Sequence, residues 1–346
     1  MAMKMLHVVP GLDNPTNGIA VAAKLIAGEQ AAEIVGAREF GKVKDLAKYG
    51  EVWVHSCWLP ATLRACWKVL MAKRLLVRMT HANLDPVRLR YHGWKKWLVG
   101  PIERYFLRRC DRIIATCKAE KEWIEAYLGK RCPPIEVTDV KRFFDLGDRS
   151  QELGVSEGFS RKERKDRKEN EGNGSKQETG NKKLNLLYLG RRHPLKGVAY
   201  LEAAVSELNS SNPPLPTPPL LKIVSNAFGD EKEKVWEWCD VLVLPTLSEN
   251  FGLVVAEALE RGKRVITTDG APVWDPMGSV GVRECGIGGV RMGEGMGERE
   301  DSSTSTLNFD SNILVGYGGR LRYLKRFRDG SKETRVELLK KAIGGG

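Results

Sequence analysis

Apolar residues fall along the chain in two alternating rhythms. Short continuous runs at Met5–Val9, Val52–His55, Leu75–Thr80, Arg112–Cys117 and Ile135–Thr138 read as strands buried on both faces. Between them lie longer segments with helical spacing, such as Leu59–Ala72 and Trp94–Arg109. This alternation predicts βαβ units and a parallel sheet. The rhythm stops near Asp145 and resumes at Leu184–Leu189 (LNLLYL). A helix is expected near Val198–Leu208, then strands at Leu221–Val224, Val241–Leu244 and Arg264–Thr267, and a last helix at Glu333–Ile343.

The stretch Arg161–Lys183 (RKERKDRKENEGNGSKQETGNKK) has no hydrophobic residue and cannot offset the entropy of ordering. The expected organisation is a first domain over 1–147, a charged disordered linker or insertion over 148–183, and a second domain over 184–346 with a basic C-terminal tail. Gly281–Asn312, rich in Gly, Ser and Thr, reads as loop. Two parallel-sheet domains joined by a linker place a cleft beyond the carboxyl ends of their strands, where ligands bind in such folds.

Composition narrows the partners. A length of 346 residues suits two domains, and a net charge of +12 suits an anionic partner: a nucleotide diphosphate, an anionic membrane surface or nucleic acid. Much of the basic charge lies in the linker and tail, and no zinc-finger or RNA-binding signature is present, so no nucleic-acid partner is expected. The seven cysteines include no Cys-x-x-Cys pair, which argues against a disulfide framework or a zinc site and fits a reducing cytosol. The N-terminal apolar stretch is too short for a signal peptide and no run of eighteen apolar residues exists. A cytoplasmic protein is expected, free or peripheral on the inner face of the membrane.

Two motifs carry chemistry. The run VLVLPTLSENFGLVVAEALERGKRVITTDG, from Val241, reads as strand, loop, helix, strand. Glu249 falls at the helix start and Glu257 inside the helix, on roughly the same side. Carboxylates accept paired hydrogen bonds from vicinal hydroxyls. The amides of Asn250, Phe251 and Gly252 between them form a helix N-terminus able to take a phosphate, and Gly252 lets backbone approach closely. On its own such a glutamate pair is more often a helix-start charge and a solvated side chain. The second motif, LYLGRRHPLKG over Leu187–Gly197, ends a strand at Gly190 and offers Arg191 and Lys196 before a helix. Positioned cations there stabilise charge developing on a leaving diphosphate. No Asp-x-Asp occurs, so neither a metal nor a cofactor is expected.

Pro245, Thr246, Glu249, Phe251, Gly252, Glu257 and Ala258 together resemble the Glu-x7-Glu signature of family 4 glycosyltransferases, and Gly190-Arg191 with Lys196-Gly197 matches their Gly-Arg-x-x-x-x-Lys-Gly segment. The resemblance implies an α/β protein of the GT-B fold, two Rossmann-like parallel-sheet domains facing across a cleft. It implies a retaining transferase that needs no metal and no dedicated base, with a nucleotide-diphosphate sugar as donor. Glu249 would face the donor sugar, Glu257 the ribose, and Arg191 and Lys196 the diphosphate. In the first domain, the loop centred on Gly18 would line the cleft, although an ordinary βα turn reads equally well.

His55 and His81 end two of the expected strands and so face the same edge. The stretch His81–Gly129, with Leu84-Asp85-Pro86, Lys95-Lys96 and Ala115-Thr116 followed by Glu120, resembles bacterial family 4 enzymes that build lipopolysaccharide or surface polysaccharide. That resemblance places His81 at a cleft position contacting the donor sugar, and implies a saccharide or lipid-linked acceptor. Trp94–Arg109 mixes basic and aromatic residues, as in a helix lying on an anionic membrane surface or a surface helix with its stripe in the core. Pro101 is expected to break or restart that helix. The basic end, Gly318–Ile343, is expected to cross back over the first domain, as tails of that fold do. The short span between Val198 and Asp240 leaves room for an inactive, degenerate transferase, and a hydrolase, phosphorylase or epimerase of the same fold is the nearest enzymatic rival.

Overall fold

The structure, a computed structural model, describes residues 4–14, 17–91, 93–144, 183–213, 215–225, 227–276, 312–316 and 320–344. Most of the charged stretch (148–182) and of the Gly/Ser/Thr-rich loop (281–311), with Cys285, lies outside the described residues.

The first half builds β1 (Lys4–Val9), α1 (Gly18–Glu29), β2 (Glu33–Gly36), β3 (Tyr49–His55), α2 (Pro60–Met71), β4 (Leu75–Met79), α3 (Pro86–Arg90), α4 (Gly93–Arg109), β5 (Arg112–Ala115), α5 (Lys118–Leu128) and β6 (Ile135–Val137). The second half builds β7 (Asn185–Leu189), α6 (Val198–Asn209), β8 (Leu220–Val224), α7 (Gly229–Trp238), β9 (Val241–Leu244), α8 (Leu253–Glu260), β10 (Arg264–Thr268), β11 (Ile313–Gly316), β12 (Leu321–Leu324) and α9 (Lys332–Gly344). Each half is one six-stranded sheet, in the orders β2-β1-β3-β4-β5-β6 and β11-β12-β10-β9-β7-β8. The pairings are parallel except β11 against β12.

Local chemistry sets the helix starts that matter for the cleft. Asn17 caps α1 by accepting the Ile19 N–H at 3.2 Å. Asp85 caps α3, accepting the Val87 N–H at 2.9 Å, with Pro86 at the first helical position where no N–H is needed. The central strands are enclosed on both faces: Val52 and Val54 in the first sheet, Leu186, Leu187, Leu242 and Val243 in the second, are wholly buried.

Five elements differ from expectation. β2 is only four residues (EIVG) and too short to show a period, while the antiparallel β11–β12 pair follows a polar stretch and carries the basic run RLRYL. α4 runs through Pro101 unbroken. Pro101 and Trp97, whose carbonyl loses its helical donor, both lie on the exposed side, where water can serve instead. The C-terminal helix does not cross the first domain: α9 packs on α6 and buries Val336, Leu339, Ala342 and Ile343 in the second core. Its apolar stripe finds a matching face there and has no need of the other domain.

Candidate functional site

Loops at the carboxyl ends of the central strands of both sheets meet. In the second domain, the loop after β7 is fastened to the loop after β9: Leu247 N–H and Thr246 Oγ1 both donate to the Leu195 carbonyl, at 2.8 and 3.1 Å. Gly197, at φ +65°, lies so close to Pro245 that a Cβ would sit 1.9 Å from its carbonyl oxygen. Only glycine fits this crossing. The crossing carries Lys196 onto Glu249, where the two form a part-buried ion pair.

Glu249 also accepts the Asn250 N–H at 3.0 Å, so one amide expected to be free for phosphate is engaged by the preceding side chain. Burial alone would raise the Glu249 carboxyl; the charges of Lys196 and Arg88, with the Lys196 and Asn250 hydrogen bonds, outweigh it and hold the group below its usual range. Gly252, at φ +67°, then turns the chain into α8. Because of that turn, Glu249 is not the first residue of the helix that bears Glu257. Glu257 instead faces α7, where Lys232 donates to its Oε1 at 2.8 Å. Its Oε2 lies 2.7 Å from the same ammonium, so Lys232 spans both oxygens of the carboxylate. Arg191 is exposed on the rim. Phe251 is buried between Phe144, stacked at 5.4 Å, and Trp274 at 5.5 Å.

The first domain supplies the facing wall. Gly18 opens α1 opposite the start of α8, where a Cβ on it would stand 3.8 Å from the Leu253 side chain. His81 follows β4 with φ +54°, and Ala82 has φ +55°. Two successive left-handed residues with side chains cost about 1–2 kcal/mol each. Glu120, fully buried on α5, holds them there: it accepts from Thr80 Oγ1 at 2.6 Å, Ala82 N–H at 2.5 Å, Thr116 N–H at 2.7 Å and Thr116 Oγ1 at 2.6 Å. His81 Nδ1 then meets Asn250 Nδ2 of the other domain at 3.0 Å.

A second bridge, not anticipated from sequence, closes the same edge. Buried Asp85 accepts from Ser248 Oγ at 2.5 Å through one oxygen and from Arg328 Nη2 at 2.5 Å through the other. Arg88 Nε donates to Ser248 Oγ at 2.8 Å. In the sequence Asp85 stood out only within Leu84-Asp85-Pro86, part of the family resemblance; its partners lie in the other domain and left no local trace. Among the described residues, no cluster of His, Cys, Asp and Glu is arranged to hold a metal ion, and the described cysteines are unpaired thiols.

Burial and neighbouring charge set the histidines. His81 is lowered to about 3 by burial and then by Arg88; His7, on β1, is lowered to about 4 by burial, partly offset by its hydrogen bond to Gln30 and by Glu51. His55 lies well below its usual value, through burial, then the neighbouring histidines and Arg78. An unfolded chain binds protons on these rings below about pH 6.5, and the folded chain does not. Stability should therefore fall as the pH drops from 6.5 to 5, by about 1.4 kcal/mol per pH unit for each histidine still neutral. Urea midpoints measured across that interval, above the carboxylate range, check this; a flat profile contradicts a neutral row.

No protein-family model matches the chain, and no curated protein matches it in sequence. Solved structures do. The sucrose-phosphate synthase of Thermosynechococcus elongatus aligns with a TM-score of 0.51 at 11% identity, over 78% of this chain and 82% of that one. HepE of Anabaena, in complex with UDP and glucose, aligns with a TM-score of 0.49 at 16% identity over the same shares. The described sheets and the first of these likenesses agree on one architecture: the chain has the GT-B fold, two Rossmann-like α/β domains facing across a cleft.

Proposed function

We propose that this protein is a retaining, metal-independent glycosyltransferase of the family 4 type, moving a sugar from a nucleotide-diphosphate sugar to a saccharide or lipid-linked acceptor. The observation that carries the reading is the Lys196–Glu249 pair, set beside the His81–Asn250 contact where the two domains meet. It puts an ammonium and an ionised carboxylate side by side. A sugar hydroxyl would donate to Glu249, and the diphosphate would take Lys196 and the exposed Arg191, a planar fork suited to two phosphate oxygens. Gly190, Phe251 and Gly252 shape the backbone around them, and Gly18 would close the loop opposite. Glu257 is paired with Lys232 and keeps lone pairs for a ribose hydroxyl to donate to. Bond breaking places charge on the leaving diphosphate, and fixed cations stabilise it most in the transition state.

A thermal-shift screen against UDP-, GDP- and ADP-sugars tests the reading. Binding at a hundred times Kd should stabilise the fold by about 2.7 kcal/mol. Glu257→Ala should lose most of that shift; a variant binding as tightly as wild type removes the ribose assignment. Detection of a glycosylated product, rather than free sugar or sugar phosphate, separates a transferase from a hydrolase or phosphorylase.

The acceptor side rests on surface chemistry. α4 exposes Trp94, Trp97 (78%), Leu98, Ile102 and Tyr105, and α2, packed beside it, exposes Trp67 and Met71. Arg104, Arg108 and Arg109 share α4. Such a surface suits anionic lipid and a lipid-linked acceptor, as in lipopolysaccharide or polysaccharide synthesis on the inner face of a membrane. No helix among the described residues is long and apolar enough to cross a membrane. In a flotation assay with vesicles containing phosphatidylglycerol, the protein should rise with the lipid, and the Trp94→Ser/Trp97→Ser variant should float at least several-fold less. Protein left wholly in the dense fraction ends the membrane reading.

A further inference from the structure

Three neighbouring strands each deliver one histidine to a single buried row. His7 lies on β1, His55 ends β3, His81 follows β4, and these strands are adjacent in the sheet. All three rings are wholly buried. Contacts run without a break: Gln30 Oε1 to His7 Nε2 at 2.8 Å, His7 Nδ1 to His55 Nε2 at 3.0 Å, His55 Nδ1 to His81 Nε2 at 2.8 Å, and His81 Nδ1 to Asn250 Nδ2 at 3.0 Å. The row begins on a half-buried side chain at the end of α1 and finishes in the loop of the other domain.

A neutral imidazole has one N–H and one acceptor nitrogen. If every contact is a hydrogen bond, only two proton orders satisfy the whole row: all three protons on Nε2, or all three on Nδ1 with both end amides turned over. The surrounding charges separate them. Arg88 donates to Ser248, two residues before Asn250, so a cation stands at the His81 end; Glu51 accepts from Trp53, whose ring stacks on His7, so an anion stands at the other end. Lone pairs facing the cation and N–H groups facing the anion are favoured, which selects Nε2 throughout. In that order Asn250 donates its amide N–H to His81. Its Oδ1 is left buried with no hydrogen-bond partner among the described residues, a costly state for a carbonyl.

We propose that Gln30, His7 and His55 are positioning residues: by fixing the proton of His81 on Nε2 they fix the Asn250 amide, so that Asn250 Oδ1 is presented as an acceptor for a hydroxyl of the donor sugar. The ligand half rests on the nucleotide-sugar reading above; the proton order does not.

Long-range proton–nitrogen NMR on histidine-labelled protein reads each tautomer directly. Wild type should show His81 protonated on Nε2 and bare on Nδ1. Gln30→Glu, an acceptor only, should keep that order at pH 8. Gln30→Lys, a donor only, should reverse it or mix it at His55 and His81, two and three residues along the row. Packing around Gln30 alone would not sort the two variants this way. The Kd of the probe giving the largest shift among UDP-glucose, GDP-mannose and ADP-glucose should rise about five- to tenfold in Gln30→Lys and stay within about twofold in Gln30→Glu. Wild-type His81 protonated on Nδ1, or the same tautomers in both variants, overturns the positioning row whatever the cleft binds. A reversed His81 with unchanged Kd overturns the Asn250–hydroxyl assignment. If no nucleotide sugar binds wild type, the nucleotide-sugar reading falls, and the NMR result still decides the row.

Discussion

Lys196→Ala is expected to lower kcat for sugar transfer by about 10²–10³-fold, the loss seen when one fixed electrostatic partner of a developing charge is removed. On the proposed reading two effects add: the leaving diphosphate would lose an ammonium that Gly197 and the Leu195 contacts hold in place, and Glu249 loses one of the charges that keep its buried carboxyl ionised. With Lys196 gone, only Arg88 and the Asn250 N–H offset burial and the Glu249 carboxyl rises, so the variant should also lose rate as pH falls through a higher apparent value than wild type. Lys196→Arg should recover part of the rate, because charge survives while reach and shape change. Release of nucleoside diphosphate, followed in a coupled assay over pH 5.5–8.5, measures both. A kcat within about fivefold of wild type takes Lys196 off the leaving group.

Glu103→Ala should cost about 3–5 kcal/mol of folding stability, a large part of the 5–15 kcal/mol typical of a domain. Arg78 and Glu103 are both completely buried and joined at 2.7 Å. Glu103 also accepts the Trp58 N–H at 2.8 Å, and Trp58 has φ +72°. Removing the carboxylate leaves a buried guanidinium uncompensated and frees the strained turn that follows His55. Urea unfolding with an unchanged slope and a lower midpoint is the expected signature. The double variant Arg78→Met/Glu103→Leu should regain most of the loss, since apolar residues of similar volume can replace a buried pair without leaving a charge behind. A single-variant cost under about 1 kcal/mol would mean that water reaches Arg78.

Much of the cleft was legible from sequence because it is written locally. Val241–Leu244 is a continuous apolar run and the observed β9 keeps those bounds. Leu75–Thr80 and Arg112–Cys117 overran β4 and β5 by one and two residues, since the turns after them begin with residues equally at home in strands. β2 escaped because four residues do not show a period, and the β11–β12 pair because RLRYL mixes charge into a strand whose partners are set elsewhere. Glu249, Lys196 and Glu257 stood out by motif, yet their actual ion pairs, Lys196 with Glu249 and Lys232 with Glu257, joined residues from separate elements. His7 lies inside the apolar run MLHVV, two residues short of the end of β1, and nothing local set it beside His55 and His81.

The sequence by itself determined the alternation of strand and helix, the two parallel-sheet halves, the loop glycines Gly197 and Gly252, and the residue types available at the strand ends. These follow from side-chain period and backbone freedom, which act over a few residues. Only the tertiary structure decided that β1, β3 and β4 lie side by side and line up three histidines, that α9 stays on its own domain, and that Asp85 and His81 reach Ser248 and Asn250 across the cleft. Strand order and domain approach are settled by burial summed over whole faces and by pairing of buried polar groups far apart in sequence, and neither leaves a pattern in any one segment.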